Sequence, residues 1–339
     1  MRKVKRQGSR VQGVKGSRGQ GVKGFSDILG IRHDLLRAIR EYFYTCDYVE
    51  VETPHLMHTS PPDPYIDPLK VYIIGNKGPF YLHTSPEMGM KKLLQYGQNR
   101  IFQICKVYRV EALEEVHSIE FTMLEWYRKG TYLQAMDEVT ELISFIAEKL
   151  HLKDKEHFTK PFKIYELDLL FIEKTGINPF PLDRDALFMV MKAMGFRGID
   201  EKDSWNDLFL KLFIQEIEGK VQEKGPYFIK DWPLSISTMA KKKDTDKVER
   251  FELYIEGIEI ANGYTELLNP EEQRERFLED NRKRQELGKQ VFEADEEFLG
   301  SLSYLEGSYT GISLGIDRLL MILMGKKKIE EVMINRFKA

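Results

Sequence analysis

The 339-residue sequence predicts an α+β fold built on an antiparallel sheet. Two stretches, residues 101–127 and 251–264, each contain two alternating apolar and polar runs separated by a turn or loop, which indicates two hairpins. Most of the remaining periodic sequence is amphipathic helix. Strands joined by hairpins and long helical insertions, without regular βαβ units, favour an antiparallel sheet over a parallel one.

The first 24 residues differ in composition from the rest of the chain. They contain eight Lys or Arg and no acidic residue, with glycine throughout, so the remaining chain has 43 basic and 54 acidic residues. Such a segment cannot build a core and is predicted to be disordered. Its charge would suit an electrostatic arm for nucleic acid or another acidic partner, but we favour an unstructured extension without a role.

Composition also excludes several classes of protein. No apolar run approaches the roughly 18 residues of a membrane span, and the N-terminus lacks the apolar core of a signal peptide. The two cysteines, Cys46 and Cys105, provide neither a disulfide framework nor a metal-binding spacing. We therefore expect a reduced, cytoplasmic protein with no membrane contact.

The N-terminal part is predicted to combine short strands with two helices. A helix begins at an N-cap on Ser26–Asp27, and the strand "YVEVETP" follows it and ends at Pro54. A proline-rich loop, "HTSPPDPYIDP", comes next. A short strand then enters a helix with Ser85 as its cap, Pro86 in its first turn and Gly97 as its end.

The C-terminal part is predicted to be mostly helical around the second hairpin. Residues 131–245 are mostly amphipathic helix, interrupted by "GINPFPLDRD" and by the charged run "KKKDTDK", which is expected to be a solvated loop. A further helix covers about residues 270–288. The closing "YTGISLGIDRLLMILMG" is typical of a glycine-rich strand that enters a helix.

The first hairpin gathers charged and aromatic side chains at otherwise apolar positions. In "IFQICKVYRVE" the alternation puts Arg109 and Glu111 on one face. After an acidic loop, Phe121, Glu125 and Tyr127 share a face of the second strand. Because a buried charge is costly without a partner, these side chains either pair with one another or bind something that is not protein.

The second hairpin brings two carboxylates together. A two-residue turn at Glu256–Gly257 predicts a register with Tyr254 opposite Glu259 and Glu252 opposite Ala261. Glu252 and Glu259 are then diagonal neighbours, and they repel unless a cation lies between them or one takes a proton. Carboxylate oxygens suit Mg²⁺, which usually accompanies substrate phosphates. The alternative is that both face water, and the spacing does not decide between the two.

These features together suggest a nucleotide site. The glycines of "GISLGIDR" let a planar ligand approach the strand, and Arg318 stands at a helix start, where anions are favoured. The sequence has no GxxxxGK[ST], HExxH or CxxC pattern. His117 is a candidate phosphate contact, although a single loop histidine is more often polar surface. In this interpretation Arg109 and Arg318 neutralise a polyphosphate, and Glu252 and Glu259 hold its metal. Glu111 accepts from an exocyclic amine of the base, and Phe121 stacks on that base. The residues left for a second, cationic substrate are Glu87, Glu125, Tyr127 and Glu266.

The same segments resemble the three motifs of class II aminoacyl-tRNA synthetases, closest to the lysyl branch. The helix and strand ending at Pro54 resemble motif 1, "YRVE" with "HSIEFTMLEWY" resembles motif 2, and "GISLGIDRLLM" resembles motif 3. The pattern ExxxxxxExxNGxxE, from Glu252 to Glu266, resembles the signature of the lysine-activating group. The resemblance covers residues 25–339 and implies a catalytic domain with a mixed, mainly antiparallel sheet flanked by helices.

The resemblance also implies roles for residues at matching positions. It makes Arg109 and Arg318 catalytic, with ATP as co-substrate and Mg²⁺ held by Glu252 and Glu259. The ATP contacts it implies are Arg109 on the α-phosphate, Glu111 on the adenine amino group, His117 and Arg318 on the distal phosphates, Phe121 stacked on adenine, and Ser118, Glu259, Ile260 and Gly315 around them. The amino-acid contacts it implies are Glu87 on the α- or β-amino group, Asn262 near the carboxylate or amino end, Glu125, Tyr127 and Glu266 on the ε-ammonium, and Ser85 and Ser313 beside them.

Within this class the chain resembles most the elongation factor P lysine ligases. A lysyl-tRNA synthetase carries an anticodon-binding β-barrel of about a hundred residues before its catalytic domain, whereas 24 residues precede the motif 1 helix here. The resemblance implies ATP-dependent activation of lysine or (R)-β-lysine as an adenylate, transfer to a lysine side chain of elongation factor P, and a homodimer, with tRNA not a partner. The alternatives are a minimal lysyl-tRNA synthetase-like enzyme that acylates tRNA and a non-catalytic regulatory paralogue.

The sequence departs from the family pattern at three places. Val110 and Ser118 stand where the family usually has asparagine, and the loop "ALEEV" lacks the usual glycine and basic residues. We therefore expect the contacts with the phosphates of ATP to be altered. Ser313 stands where synthetases for α-lysine carry glycine and the protein ligases carry alanine. Because serine is larger than either, it is expected to disfavour α-lysine. The alternative is that its hydroxyl recruits a different amino acid.

Overall fold

The protein is built on one large sheet flanked by helices. The computed structural model describes residues 19–75, 78–110, 115–152, 155–159, 161–223, 225–237 and 239–333. The strands are, in chain order, β1 (Val49–Glu50), β2 (Leu56–Met57), β3 (Lys70–Val71), β4 (Phe80–Leu82), β5 (Arg100–Tyr108), β6 (Glu120–Lys129), β7 (Lys163–Glu166), β8 (Tyr227–Pro233), β9 (Lys247–Ile255), β10 (Ile258–Thr265) and β11 (Tyr309–Gly315).

Eight of these strands form the main sheet in the order β1-β5-β6-β11-β10-β9-β8-β7. The pairs β1–β5 and β7–β8 are parallel, and the other neighbours are antiparallel. Strands β2, β4 and β3 form a small separate sheet. The predicted α+β class, with a mixed and mainly antiparallel sheet, is confirmed.

Helices cover both faces of the main sheet. They are α1 (Gly19–Thr45), α2 (Glu87–Leu94), α3 (Tyr132–Lys149), α4 (Leu167–Thr175), α5 (Arg184–Ala193), α6 (Trp205–Glu216), α7 (Pro270–Glu286), α8 (Glu296–Leu302) and α9 (Ile316–Leu323). The largest apolar cluster joins α1, α3 and α9 to the sheet through buried side chains such as Phe43, Trp126 and Leu319. Within the described ranges, no helix combines the length and apolar character needed to cross a membrane.

The two predicted helix starts in the N-terminal part need correction. Helix α1 begins at Gly19, not at a cap on Ser26–Asp27. Only the start of a helix is costly, and each residue that extends an existing helix adds one backbone hydrogen bond, so a potential cap residue does not by itself end the helix. Residues 19–24 of the predicted tail therefore belong to this helix, and residues 1–18 lie outside the described part of the chain. In α2 the N-cap is Pro86, while the Ser85 hydroxyl accepts from the Glu87 N–H at 3.0 Å.

The predicted helical insertion, residues 131–245, also contains two strands that the pattern did not reveal. Strand β8 is buried on both faces, so it shows no alternation, and β7 is only four residues long and mostly exposed. Both extend the main sheet beyond β9. Helices α4–α6 pack against this extension in a second apolar cluster that includes Phe209, Leu212 and Tyr227. The charged run is a largely exposed turn over residues 241–246, as expected, and its last residue, Lys247, begins β9.

Candidate active site

Two adjoining cavities open on the face of the sheet formed by β6, β10 and β11. The larger has a volume of about 440 Å³ and the smaller a volume of about 250 Å³. Their common boundary is lined by Ile66, Arg109, Glu259, Asn262 and Ser313. Each predicted site residue that the structure describes lines one or both cavities, with the exception of Glu266.

The smaller cavity presents cationic and aromatic side chains. Arg109 follows the end of β5, where its Nε donates to the Thr84 carbonyl at 3.1 Å and its guanidinium lies 5.3 Å from the centroid of the Phe121 ring. Arg318 lies in the first turn of α9, where its Nε donates to the Val116 carbonyl at 3.2 Å. The predicted nucleotide contacts that line this cavity are Arg109, His117, Ser118, Phe121, Glu259, Ile260, Gly315 and Arg318.

Backbone carbonyls and one carboxylate hold the Arg318 guanidinium in place. Its Nη1 donates to the Glu259 carbonyl at 3.0 Å and lies 3.5 Å from Glu259 Oε2. The neighbouring Asp317 fixes the start of α9, because its Oδ2 accepts from the Thr122 N–H at 2.6 Å. Among the described residues, both arginines therefore keep donors free for an anion, which suits a phosphate ligand.

Ser118 offers the smaller cavity an unused hydrogen-bonding group. Its side chain is buried, and its Oγ has no hydrogen-bond partner among the described residues. Because buried hydroxyl groups are usually hydrogen-bonded, this one is suited to bind a polar ligand atom. Glu111, the predicted adenine contact, lies outside the described residues, as does the rest of the segment 111–114.

The larger cavity is lined by carboxylates. Glu125 lies on β6, opposite Ser313 of β11, and its two oxygens accept from Ser85 Oγ and from Tyr127 Oη at 2.6 Å each. Glu87, at the start of α2, accepts a hydrogen bond from the Tyr264 hydroxyl. These two carboxylates reach the cavity surface, as does Tyr127, and all three are predicted contacts of a substrate ammonium.

Burial shifts the protonation of the carboxylates in this region. Burial raises the pKa of Glu125 to about 7, and the nearby Glu87 carboxylate adds to the rise. The pKa of Glu266 is raised by burial and by Glu87, while the adjacent Lys91 ammonium opposes that rise. A cationic ligand would favour the ionised form of both groups, because an opposite charge nearby stabilises a carboxylate.

Lys91 is the main residue of this region that the sequence interpretation missed. It lies on α2, one turn after Glu87, with a side chain only 1% exposed. Its Nζ lies 2.6 Å from Glu87 Oε1 and forms an ion pair with Glu266. The sequence held one signal, because Glu87 and Lys91 have the i, i+4 spacing of a helical ion pair, but nothing in it showed that the pair is buried.

Glu266 lies behind the cavity wall instead of on its surface. Gly311 of β11 lines the cavity, and a Cβ atom at this position would overlap the Glu266 carboxylate and the Tyr127 ring. Because Gly311 has no side chain, there is room for the Glu266 carboxylate close to the cavity. The predicted contact of Glu266 with a ligand ammonium stays a prediction, and Lys91 already occupies one side of this carboxylate.

The second hairpin has the predicted turn but a different register. Glu256 and Gly257 both have positive φ, and Tyr254 pairs with Glu259 as expected. An irregularity between Glu259 and Ala261 then sets Glu252 opposite Asn262, not opposite Ala261. The extra residue of a β-bulge carries no sequence signal here, so simple counting across the turn gives the wrong partner.

The two carboxylates of this hairpin nevertheless face the same cavity. Glu252 accepts from Arg250 Nη2 and from the Tyr254 hydroxyl at 2.5 Å each. Burial raises the pKa of Glu252 to about 8, and repulsion from Glu259 adds to the rise. Two repelling carboxylates with hard oxygen donors are suited to a divalent cation.

The insertion contributes one wall of the larger cavity, which the sequence did not reveal. Side chains from α6 and from the turn after it, including Phe213, Ile214 and Glu218, line the cavity. The turn reaches the second hairpin, since a Cβ on Gly257 would lie 2.9 Å from the Cα of Gly219. Burial and the nearby Glu259 raise the pKa of Glu218, so this carboxylate of the insertion interacts electrostatically with the second hairpin.

Comparison with known proteins agrees with the motifs. The family model described as "tRNA synthetases class II (D, K and N)" matches residues 22–335. A protein of Vibrio cholerae serotype O1 named "Elongation factor P--(R)-beta-lysine ligase" is 37% identical over 309 residues, which cover 89% of this chain and 92% of that protein. Proteins of the same name from Vibrio atlanticus and Avibacterium paragallinarum are 35% and 33% identical, each over 89% of this chain and over 93% and 92% of their own lengths.

Proposed function

The chain belongs to the class II tRNA synthetase (D, K and N) family, and on this premise we propose that it is an ATP-dependent ligase for elongation factor P. It activates lysine or (R)-β-lysine as the aminoacyl adenylate and transfers it to a lysine side chain of that protein. The observation that carries the proposal is the meeting of two unlike cavities at Arg109, one with guanidinium groups and one with buried carboxylates. The names of the relatives support the choice of acceptor.

In the first step, a carboxylate oxygen of the amino acid attacks the α-phosphorus of ATP. A P–O bond forms as the bond to the β-phosphate oxygen breaks, which gives the adenylate and pyrophosphate. No proton is transferred, so the protein acts by positioning and by stabilising charge. Arg109, at the boundary of the cavities, contacts the α-phosphate, while Arg318 and His117 contact the distal phosphates. Phe121 stacks on adenine, with Ser118, Ile260 and Gly315 around the nucleotide and Glu111 on its amino group.

Glu252 and Glu259 fit a Mg²⁺ ion. They supply oxygen donors on one cavity wall, and their repulsion, which helps to raise the pKa of Glu252, would be relieved by a cation. Arg250 and Tyr254 orient the Glu252 carboxylate. When bound, such an ion neutralises phosphate charge.

The amino acid lies in the larger cavity with its ammonium groups on carboxylates. Glu87 receives the α- or β-ammonium, and Glu125 receives the ε-ammonium with help from Ser85, Tyr127 and Glu266. Asn262 and Ser313 lie at the boundary of the two cavities, near the carboxyl group that reacts. In the second step, the neutral amine of the acceptor lysine attacks the adenylate carbonyl. An amide bond forms as the bond from the carbonyl carbon to the phosphate oxygen breaks, AMP leaves with the bonding electrons, and the nitrogen releases one proton to solvent.

Residues 25–339 act as one catalytic domain, in which the insertion at residues 131–245 provides a wall of the amino-acid cavity. A homodimer through the motif 1 region, which includes α1, follows from the family. Light scattering of the purified protein would test the dimer.

The acceptor is tested by giving the protein ATP, Mg²⁺ and either α-lysine or (R)-β-lysine, with elongation factor P and total tRNA as competing acceptors. We expect intact-mass measurement to show the addition of one amino-acid residue to elongation factor P, with more product from β-lysine because of Ser313. Label on tRNA alone would replace the proposal by a minimal tRNA-acylating enzyme. Label on neither acceptor, without adenylate formation, would favour a non-catalytic paralogue.

A further inference from the structure

Lys91 is a buried cation in the wall of the amino-acid cavity. Its side chain is 1% exposed, and its Nζ contacts Glu87 Oε1 at 2.6 Å and pairs with Glu266. The Nζ also lies 5.4 Å from the centroid of the Tyr264 ring and 3.6 Å from Met239 Sδ. A buried lysine is costly unless it is paired, and here the pairing comes from two carboxylates next to a ligand cavity. The charge of Lys91 therefore acts directly on the carboxylates of that cavity.

Next to Lys91, the pairing of charges leaves two carboxylates of the cavity lining for the ammonium groups of a ligand. Three carboxylates meet here, Glu87 from α2, Glu125 from β6 and Glu266 directly after β10. Lys91 neutralises Glu266, which lies behind the wall, whereas Glu87 and Glu125 line the cavity. The other titratable groups that face them are the hydroxyls of Tyr127 and Tyr264 and the thiol of Cys105, and burial raises the pKa of each, so all three are neutral.

We propose that Lys91 is a positioning residue that makes the cavity selective for amino acids with two ammonium groups. Its ammonium neutralises Glu266 and holds Glu87 in place, so that Glu87 and Glu125 each remain available to one ammonium of the ligand. This inference rests on the proposed function and deepens it, because it assigns the selection of amino acids with two ammonium groups to a buried residue that does not itself touch the substrate.

Loss of Lys91 has a consequence for pH dependence. Without this cation the three carboxylates repel one another more strongly, and the pKa values of Glu125 and Glu266, which burial already raises and Lys91 lowers, rise further. Carboxylates bind an ammonium in the ionised form, so affinity for a diamino acid falls as pH drops through their pKa. In a variant without Lys91 that fall therefore begins at a higher pH than in the wild type.

The test is the Lys91→Met variant, which keeps the apolar volume of the stem and removes the charge. In lysine-dependent ATP–pyrophosphate exchange near pH 7 we expect the KM for lysine or β-lysine to rise at least about tenfold, with recovery at higher pH, because a one-unit rise in pKa changes the ionised fraction up to tenfold. The KM for ATP should change less than about twofold. Lys92→Met is the matched control, since Lys92 is the next residue of α2 but pairs with Asp295 and Glu297.

A second variant separates charge from shape. Lys91→Ala leaves a space for a small amine, and we expect added propylammonium to restore part of the affinity for the amino acid, whereas 1-propanol does not. Restoration by both compounds, or a KM and pH profile of Lys91→Met equal to those of the wild type, would overturn the inference. Absence of amino-acid-dependent exchange in the wild-type protein would instead refute the proposed function, so the two failures are distinguishable.

Discussion

Arg109 is the single side chain on which the proposed chemistry depends most. It lies at the boundary of both cavities, where its Nε donates to the Thr84 carbonyl and its guanidinium lies 5.3 Å from the centroid of the Phe121 ring. A donor fixed in this way can stabilise charge that develops on the α-phosphate without moving during the reaction. Arg109→Ala should therefore reduce the rate of adenylate formation by at least about 10²-fold, measured as ATP–pyrophosphate exchange.

Arg100→Ala is the control for this prediction. Arg100 lies at the other end of the same strand, β5, and its Nη1 donates to the Cys46 carbonyl away from both cavities. The control should retain exchange close to the wild-type rate. A near-normal rate in Arg109→Ala would remove Arg109 from the proposed mechanism.

Glu125 should make amino-acid binding depend on pH. Burial raises the pKa of this carboxyl to about 7, and Glu87 adds to the rise. Because the ionised form binds an ammonium, affinity is fully present above pH 7 and is lost as the pH falls through that value. We expect the KM for the amino acid to increase about tenfold per pH unit below 7, while the KM for ATP stays nearly constant.

Glu125→Gln should lower the affinity at neutral pH and remove this step from the profile. Its two partners, Ser85 and Tyr127, contact different oxygens of the carboxylate, so in the variant one hydroxyl can donate to the amide oxygen and the other can accept from the amide NH2, and the fold is expected to survive. A variant that keeps the wild-type step would show that another group titrates.

At the scale of elements, the β9–β10 hairpin carries the proposed metal ligands. Replacing both Glu252 and Glu259 by glutamine should abolish Mg²⁺-dependent exchange, because neutral amides do not compensate for the ion's charge. Glu256→Gln in the turn between the strands is the control, since Glu256 is exposed and pairs only loosely with Lys327 at 3.4 Å. Retained Mg²⁺-dependent exchange in the double variant would show that the ion is held elsewhere.

The same hairpin also positions the insertion, through the approach of Gly257 to Gly219. Gly257→Ala places an L-residue at φ of 76°, which costs about 1–2 kcal/mol, and its Cβ would lie 2.9 Å from the Gly219 Cα. Gly97→Ala has the same kind of φ, 86°, but open space around the Cβ. Thermal unfolding should therefore show a larger loss of stability for Gly257→Ala, and equal losses would mean that the insertion is not held at this contact.

At the scale of the whole molecule, local sequence signals predicted the central strands of the sheet but not the contacts between residues distant in the chain. The alternation in β6 and β10, the turn at Glu256–Gly257 and the glycine-rich β11 identified the central strands and most cavity residues. The sequence did not reveal β7 and β8, because the first is very short and the second is buried on both faces.

The errors in the site have the same physical origin. The bulge that sets Glu252 opposite Asn262 arises from pairing between strands, not from composition. The pairing of Lys91 with Glu266 joins residues 175 positions apart, and no local pattern encodes it. Residue types could show that carboxylates gather near a cationic ligand, but only the assembled sheet shows which of them reach the cavity.

The most direct measurement of the central claim is amino-acid-dependent ATP–pyrophosphate exchange with lysine, (R)-β-lysine and norleucine. Norleucine has the carbon chain of lysine without the ε-ammonium, so it can bind only one of the two carboxylates, Glu87 and Glu125, that are proposed to receive ammonium groups. We expect exchange with at least one of the diamino acids and little or none with norleucine. Equal exchange with norleucine, or no exchange with either diamino acid, would contradict an ATP site joined to a diamino-acid site.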